Sequence, residues 1–267
     1  MKMKAIRIML SMLLAVVTCS SLAQGVIVYK SNGTQEKIPY VALDSIILYY
    51  ADQEPVPIVE AKAVDLGLPS GTLWASHNVG ATAPEQLGGY YAYGETEEKA
   101  TYSWDSYMCT SQSACGTSSD PLYADGILTY DQVGTFTYNK SCNIAGTKYD
   151  VATQTWGESW VMPTKQQYSE LINNCTISTV TINDLLCLEV TGPNGNSVIF
   201  PLDGGYKENA NLVGVNNYEH YTSFWIADMS YQLYYADEAR ARNNGIGHYS
   251  SMTYRYLGMQ VRPVKKQ

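Results

Sequence analysis

Three short blocks that lie far apart in the chain place the strongest constraint on its fold. Residues 64–75 have the pattern of a short strand, a Pro-Ser-Gly turn and a second strand that closes on the first. Residues 156–171 carry Trp-Val-Met-Pro-Thr directly before a helical pattern, and residues 258–264 form an extended block near the end of the chain. We interpret the three blocks as parts of one domain over residues 62–267.

Two helices are predicted in the middle of this domain. The first covers residues 151–156, where Thr147 and Asp150 form a weak capping box and a glycine ends the helix. The second helix follows a clearer capping box made by Thr164 and Gln167, and its apolar residues fall on one face.

The rest of the domain has the pattern of short strands and loops. Residues 186–191 and 197–202 flank a Gly-Pro-Asn-Gly turn, which predicts a β-hairpin. Other strands are predicted at residues 89–94, 222–227, 231–236 and 257–264, and loops at residues 96–146, 204–219 and 237–255. Few helices combined with many short strands and long loops indicate an α+β fold.

The start of the chain predicts a secretory signal peptide over residues 1–23. Three basic residues precede an apolar run over residues 8–17, which is too short to cross a bilayer. Small residues at positions 21–23 favour cleavage after residue 23, and a lipid anchor at Cys19 is the alternative. Both alternatives predict an exported protein, in the periplasm, on the outer surface or secreted.

Residues 24–50 are expected to form a small β-strand unit, followed by a proline-containing linker over residues 51–61. Residues 26–29 and 37–40 flank a Ser-Asn-Gly-Thr turn, and residues 45–50 have the pattern of another strand. Because a lone hairpin is only marginally stable in water, this unit is expected to pack on the main domain or on a partner subunit.

Charge and aromatic composition limit the partners of the protein. Cleavage after residue 23 would remove three of the 17 basic residues and none of the 25 acidic residues, which changes the formal net charge from −8 to −11. A nucleic-acid partner is therefore not expected, because it needs a basic face, and no later segment is apolar enough to span a membrane. The chain has 23 Tyr and only 3 Phe, which favours rings that are packed on one side and wet on the other, as on binding surfaces.

Cysteine and acidic residues offer few metal sites. The five cysteines after the predicted leader are Cys109, Cys115, Cys142, Cys175 and Cys187. Some could pair in an exported protein, with at least one left over, and buried free thiols are the alternative. No Cys-x-x-Cys motif occurs and the three histidines are scattered, which argues against zinc. Asp120, Asp125 and Asp131 are expected to be solvated loop acids rather than calcium ligands.

The ordered blocks resemble a family of exported proteins of Gram-negative anaerobes. The matching positions are residues 64–75, 78–81 and 94–95, then 160–164 and 170–171, and finally 204–206, 223–225 and 258–264. On these residues the chain is similar to the major-paralogous-domain (FISUMP) family over roughly residues 62–265, although two serines that usually follow Trp225 are missing. The resemblance implies a C-type-lectin-like fold, of the branch shared with the formylglycine-generating enzyme, in which the terminal strands pair and long loops display a binding surface.

Catalytic patterns are missing from the sequence. It contains no Gly-x-Ser-x-Gly, no His-Glu-x-x-His and no Gly-rich phosphate loop. The calcium-binding motifs of lectins and the C-terminal cysteine pair of the copper-dependent oxidase of the resembled fold are also missing. The adjacent carboxylates at residues 97–98 and 237–238 are expected to be solvated. We therefore predict no enzyme activity, no metal and no cofactor.

The C-terminal part of the domain has the composition of an adaptable contact surface. Tyrosine can stack on a sugar ring, while Asn, Arg and His form hydrogen bonds to hydroxyl groups. The predicted ligand-binding residues are Asn216, Asn217, Tyr218, His220, Tyr221, Tyr234, Tyr235, Arg240, Arg242, Asn243, Asn244, His248, Tyr249 and Tyr254. The predicted function is a cell-envelope binding or adhesion module for a glycan or a protein. The alternatives are that these tyrosines only cover the sheet, or that the chain is a structural subunit of a surface fibre or envelope complex that assembles through residues 24–50.

Overall fold

A computed structural model describes residues 61–133, 138–214, 220–229 and 232–265, together with the backbone of residues 25–29 and 35–39. Within these ranges, residue 139 and residues 248–252 are described by their backbone alone. The chain divides into two compact units, Met1–Ile58 and Val59–Gln267.

The smaller unit contains one described β-hairpin. Strand β1 (Gly25–Tyr29) pairs antiparallel with β2 (Gln35–Pro39), and Ile27 lies opposite Lys37. The hairpin predicted around the Ser-Asn-Gly-Thr turn is therefore confirmed. The predicted signal peptide, the strand at residues 45–50 and most of the predicted linker lie outside the described residues.

Short strands dominate the larger unit, as an α+β fold requires. Its described helices are α1 (Pro121–Ala124), α2 (Val151–Trp156) and α3 (Lys165–Asn174). Its described strands are β3 (Ala63–Asp65), β4 (Leu73–Ala75), β5 (Thr129–Gln132), β6 (Tyr138–Ser141), β7 (Trp160–Val161), β8 (Thr176–Ile182), β9 (Leu185–Thr191), β10 (Ser197–Pro201), β11 (Tyr206–Glu208), β12 (Asn211–Val213), β13 (Tyr221–Trp225), β14 (Tyr235–Arg242), β15 (Gly245–Tyr254) and β16 (Val264–Lys265). Two 3-10 turns, at Trp104–Ser106 and Gln112–Ala114, lie between β4 and α1.

One sheet joins the three blocks that the sequence singles out. Its strand order is β3-β4-β16-β7, and the C-terminal strand lies in its interior. Val264 pairs with Trp74 on one side and with Val161 on the other. The last described strand therefore closes the domain between its first and middle blocks.

Two further three-stranded antiparallel sheets complete the framework, with the orders β10-β9-β8 and β13-β14-β15. The hairpins β5-β6 and β11-β12 are separate two-stranded sheets. The predicted hairpin of β9 and β10 is confirmed, with Val190 opposite Val198. The strand β8 extends this sheet beyond the predicted hairpin.

Aromatic side chains form two adjacent cores. Around Trp74, the ring of Tyr168 lies 5.0 Å away in an edge-to-face contact, and Phe200 contacts Phe224 at 5.5 Å. Burial of each such side chain contributes about 1.5–3 kcal/mol. The second core contains tyrosines whose hydroxyls donate to backbone carbonyls, such as Tyr93 to Ala227 at 2.6 Å. The expectation that the tyrosines are wet on one side is therefore wrong for this group.

Local capping explains both predicted helices. Helix α3 begins at the capping box predicted from Thr164 and Gln167, in which the backbone N–H of Gln167 donates to the Thr164 hydroxyl at 3.3 Å. Helix α2 also has the predicted bounds, but its N-cap is Asp150 alone. The Asp150 carboxylate accepts from the backbone amides of Ala152 and Thr153, as a side chain at this position does.

Three predicted loop regions contain regular structure instead. The stretch at residues 96–146 holds α1 and the β5-β6 hairpin, residues 204–219 hold β11 and β12, and residues 237–255 hold most of β14 and β15. In β14, small alanines alternate with charged residues, and Ala239 and Ala241 face the core. The predicted strand at residues 231–236 and the predicted loop at residues 237–255 therefore have wrong bounds, because Tyr235–Arg242 form one strand that pairs with β13 and β15.

Candidate functional site

The structure places the predicted ligand-binding residues in several parts of the larger unit. Asn216, Asn217 and Tyr218 lie outside the described residues. The backbone alone is described for His248 and Tyr249, which pair in register with Ala239 and Glu238. The other nine residues occupy three places: Tyr234, Tyr235 and Tyr254 in an aromatic cluster, Tyr221, Arg240, Arg242, Asn243 and Asn244 along β13, β14 and the following turn, and His220 at a cleft.

The aromatic cluster consists of Trp104, Tyr234, Tyr235, Tyr254 and Tyr256. Trp104 contacts Tyr254 and Tyr256 with ring centroids 5.8 and 4.9 Å apart. Tyr254 stacks on Tyr256 at 5.4 Å with an interplanar angle of 17°, and Tyr235 lies 5.0 Å from Tyr254. Trp104, Tyr234 and Tyr254 are half-buried, whereas Tyr235 and Tyr256 are buried. The cluster therefore presents three partly exposed rings on a rigid aromatic base.

A buried arginine between two tyrosines fixes the cluster. Strand β15 ends at Tyr254, and Arg255 and Tyr256 form the turn that follows it, in which the Leu257 amide donates to the Tyr254 carbonyl at 3.1 Å. Arg255 is fully buried, and its guanidinium forms a two-point ion pair with Asp120, at 2.7 Å from Nη1 and 3.0 Å from Nη2. Its Nε donates to the Tyr107 hydroxyl at 2.9 Å, and its Nη1 also donates to the Leu233 carbonyl.

Asp120 is therefore not a solvated loop acid, and that expectation is wrong. Its side chain is fully buried and also accepts from the amides of Gly116 and Leu122, at the N-cap of α1. A carboxylate with four donors in the interior is stable because each oxygen is satisfied. Asp125 and Asp131 are exposed, as expected.

Phenol hydroxyls and one carboxylate give the cluster a polar edge. The Tyr256 hydroxyl donates to Glu208 at 2.8 Å. Burial raises the pKa of Tyr256 well above its usual range, and the hydrogen bond to Glu208 adds to the effect. Burial likewise raises the pKa of Tyr235 to about 12. Both phenols are therefore neutral hydrogen-bonding groups at physiological pH.

The second group of predicted residues is more buried than the sequence suggested. Tyr221 is buried, and the Arg240 guanidinium lies 4.9 Å from its ring centroid. Arg240 also forms an ion pair with Glu238 at 2.5 Å. Asp237 and Glu238 are both buried, so the expectation that these carboxylates are solvated is wrong. Strand β14 pairs on both edges, which brings its acidic residues into the interior.

At the following turn, Asn243 and Asn244 are exposed, as a contact surface requires. The Asn243 carbonyl accepts from the Thr179 hydroxyl at 2.8 Å, which fixes the turn against β8. Arg242 is partly buried beside it.

His220 lies at a cleft of about 540 Å³. Its Nδ1 is 2.6 Å from Asp203 Oδ1. The cleft is lined by apolar side chains, among them Leu185 and Leu202, and by the acidic residues Glu85, Asp184 and Asp203. Its negative rim favours neutral or cationic ligands over anionic ones.

Two ionisable groups have strongly shifted pKa values away from this cleft. Burial raises the pKa of Asp237 to about 6, and Oδ1 of this residue has no hydrogen-bond partner among the described residues. Burial lowers the pKa of Lys140 to about 8, and its Nζ donates to the Gln232 carbonyl at 2.7 Å. Neither residue lines the cleft, so the cleft does not combine a concave site with these shifted groups.

One cluster has the composition of a metal site. Cys109, Cys115 and Asp120 are buried, and one potential ligand atom from each lies within 4.8 Å of the others. Both oxygens of Asp120 are already bonded to Arg255, whose positive charge opposes a cation. These residues therefore do not fit a metal ion.

No protein-family model, curated protein or solved structure matches this chain. Within the described part of the chain, the helices are too short or too polar to cross a membrane.

Sequence reasoning missed Trp104, Tyr256 and Glu208. Trp104 lies in a Ser- and Tyr-rich stretch that has the pattern of a loop, about 150 positions before its ring partners Tyr254 and Tyr256. A tryptophan in such a polar stretch is the one signal available, because it is a large apolar residue that needs a packing partner.

Proposed function

We propose that residues 62–267 form a non-catalytic binding module whose ligand is a neutral glycan, and that the aromatic cluster is its contact surface. The observation that carries the proposal is the presence of three half-buried rings, Trp104, Tyr234 and Tyr254, on a rigid base with a polar edge.

The chemistry of the cluster fits the two sides of a sugar ring. Aromatic faces pack against the apolar C–H face of a pyranose, while phenol hydroxyls and carboxylates form hydrogen bonds to its hydroxyl groups. Tyr254 offers a ring that is already fixed between neighbours, so little conformational entropy is lost when a ligand binds.

Charge narrows the class of glycan. Glu208 at the edge of the cluster and the overall negative charge both disfavour sulfated or sialylated sugars. A neutral glycan is therefore a better ligand than an anionic one.

The proposed setting is the cell envelope. The predicted signal peptide over residues 1–23 and the resemblance to the FISUMP family support export. The same resemblance supports a C-type-lectin-like form of the α+β fold, and the pairing of β16 with β4 agrees with it.

The test is a glycan array probed with residues 24–267 and two matched variants. Tyr254→Ala removes a partly exposed ring of the cluster. Tyr123→Ala is the control, because Tyr123 is an exposed tyrosine outside the cluster. We expect binding to neutral glycans that Tyr254→Ala loses and Tyr123→Ala keeps, with both variants folded by near-UV circular dichroism. Equal binding by the three proteins would contradict the proposed surface.

A structural role is the second candidate, and it rests on the β1-β2 hairpin. In its described residues this sheet has two strands, so each has an edge that could pair with a strand of a neighbouring subunit. Deletion of residues 24–50 should abolish assembly, measured by light scattering, if this role is correct. Under the binding role the deletion should leave glycan binding unchanged.

A further inference from the structure

Two of the described cysteines, Cys109 and Cys115, lie close to each other in the folded chain. The sulfur atoms of Cys109 and Cys115 are within 4.8 Å, and both side chains are buried. They bracket a short segment that contains the 3-10 turn Gln112–Ala114, and residues 110, 112 and 113 of this segment are exposed.

The surroundings of this pair disfavour a metal ion. A cation at the two sulfurs would need a third ligand, and Asp120 is the acidic residue within reach. Asp120 neutralises Arg255 through both of its oxygens and accepts two backbone amides as well. Withdrawal of Asp120 toward a metal would leave the Arg255 charge buried without its partner, which is strongly unfavourable.

A disulfide bond between the two sulfurs leaves the ion pair between Asp120 and Arg255 intact. It requires the sulfurs to approach to about 2.05 Å, which rotation of short side chains across a small loop can supply. We infer that Cys109 and Cys115 are a disulfide-forming pair that closes residues 109–115 into a covalent loop beside Arg255.

The arrangement also indicates which sulfur reacts first. The hydrogen bond from Cys109 lowers the pKa of the Cys115 thiol, and the Arg255 guanidinium acts in the same direction. The same hydrogen bond, together with burial, raises the pKa of Cys109. Cys115 is therefore the better nucleophile, because the thiolate is the reactive form.

The reaction is a thiol–disulfide exchange with a small or protein disulfide as the oxidant. The Cys115 thiolate attacks one sulfur of that disulfide, which forms a mixed disulfide and releases the first thiol of the oxidant. The Cys109 thiolate then attacks the Cys115 sulfur and releases the second thiol. Two electrons pass to the oxidant, and the two protons of the cysteine thiols end on its reduced sulfurs.

Closure of this loop would hold the segment that supports the aromatic cluster. Tyr107 precedes the loop in the chain, and its hydroxyl accepts from Arg255. Asp120 follows the loop in the chain and forms the ion pair with Arg255. The oxidised protein should therefore be more resistant to unfolding than the reduced protein, with a Tm higher by about 5 °C.

The test uses residues 24–267, refolded in buffers with different ratios of oxidised to reduced glutathione. Free thiols are then alkylated under denaturing conditions with N-ethylmaleimide, and the labels are counted by mass spectrometry. The oxidised wild type should carry three labels of the five possible, and peptide mapping should join Cys109 to Cys115. In oxidising buffer Cys109→Ser should join no two cysteines and should carry three labels and one glutathione on Cys115, because the mixed disulfide at Cys115 then has no second thiol to resolve it. Cys187→Ser is the control, because this buried cysteine is outside the pair, and it should carry two labels.

Two results would overturn the inference. One is a wild type that carries five labels at every glutathione ratio, or that joins a different pair of cysteines. The other is protection of Cys109 and Cys115 from alkylation in the native reduced protein by added Zn²⁺, since that would identify a metal site. Mapping of the wild type decides the matter even if a variant fails to fold, and neither result depends on glycan binding.

Discussion

The ion pair between Asp120 and Arg255 provides the sharpest prediction about what holds the aromatic cluster in place. Both side chains are fully buried, and the guanidinium donates through both Nη1 and Nη2 to the carboxylate. Asp120→Asn keeps the shape of the side chain but removes its charge. Arg255 then retains a positive charge in the interior without a counter-charge.

The expected cost follows from that burial. Removal of one partner from a buried ion pair lowers the free energy of unfolding by about 3–5 kcal/mol. For a domain of this size the loss corresponds to a decrease in Tm of about 10 °C. In Asp120→Asn the side-chain oxygen can still accept from one of the two backbone amides, but the NH2 group cannot accept from the other, so the lost hydrogen bonds add to the loss of charge.

A double-mutant cycle separates the charge from the packing. Arg255→Met alone should be destabilising by a similar amount, and the double variant Asp120→Asn/Arg255→Met should be less destabilised than the sum by about 2 kcal/mol or more. Thermal and urea unfolding of residues 24–267 provide the free energies of unfolding. Asp105→Asn, the same change at an exposed position, is the control and should leave Tm unchanged. Additive effects in the cycle, or an Asp120→Asn variant with the Tm of the wild type, would refute the reasoning.

Three further predictions concern other parts of the framework. The pKa of Asp237 is about 6 in the folded protein and near its ordinary value of 3.8 in the unfolded protein. Between these values the folded state binds more protons, so the wild type loses stability as the pH rises through them. The free energy of unfolding of Asp237→Asn should therefore rise by about 1–2 kcal/mol relative to that of the wild type between pH 4 and pH 7, measured by urea unfolding at both pH values. Gly214 has a φ of +89°, and a Cβ at this position would overlap the Tyr221 hydroxyl. Gly214→Ala should therefore lower the free energy of unfolding by at least about 2 kcal/mol. An unchanged free energy of unfolding would show that the two residues are not in contact. Thr164→Ala removes the N-cap of α3 and should cost about 1 kcal/mol in the same assay, whereas Thr164→Ser should cost much less.

The parts of the fold that sequence reasoning found are those that local chemistry determines. The bounds of α3 follow from the capping box of Thr164 and Gln167, and the β9-β10 hairpin follows from its Gly-Pro-Asn-Gly turn. The bounds of β14 differ from the predicted strand at residues 231–236, because its strand form depends on pairing with β13 and β15 on both edges.

The sequence predicts only those residues of the candidate site that local composition points to. Tyr234, Tyr235 and Tyr254 were recognised from composition, and they do share one cluster. Trp104 was missed because its place in the cluster depends on long-range contacts that no local pattern encodes. Buried Asp120 was missed because its partner, Arg255, lies 135 positions away in the chain.

The most direct test of the central claim is the affinity of the protein for a neutral glycan identified on the array, measured by isothermal titration calorimetry. The account predicts that Tyr254→Ala weakens binding about tenfold or more, whereas Tyr123→Ala leaves Kd unchanged. An unchanged Kd for a folded Tyr254→Ala protein would contradict the assignment of the aromatic cluster as the binding surface.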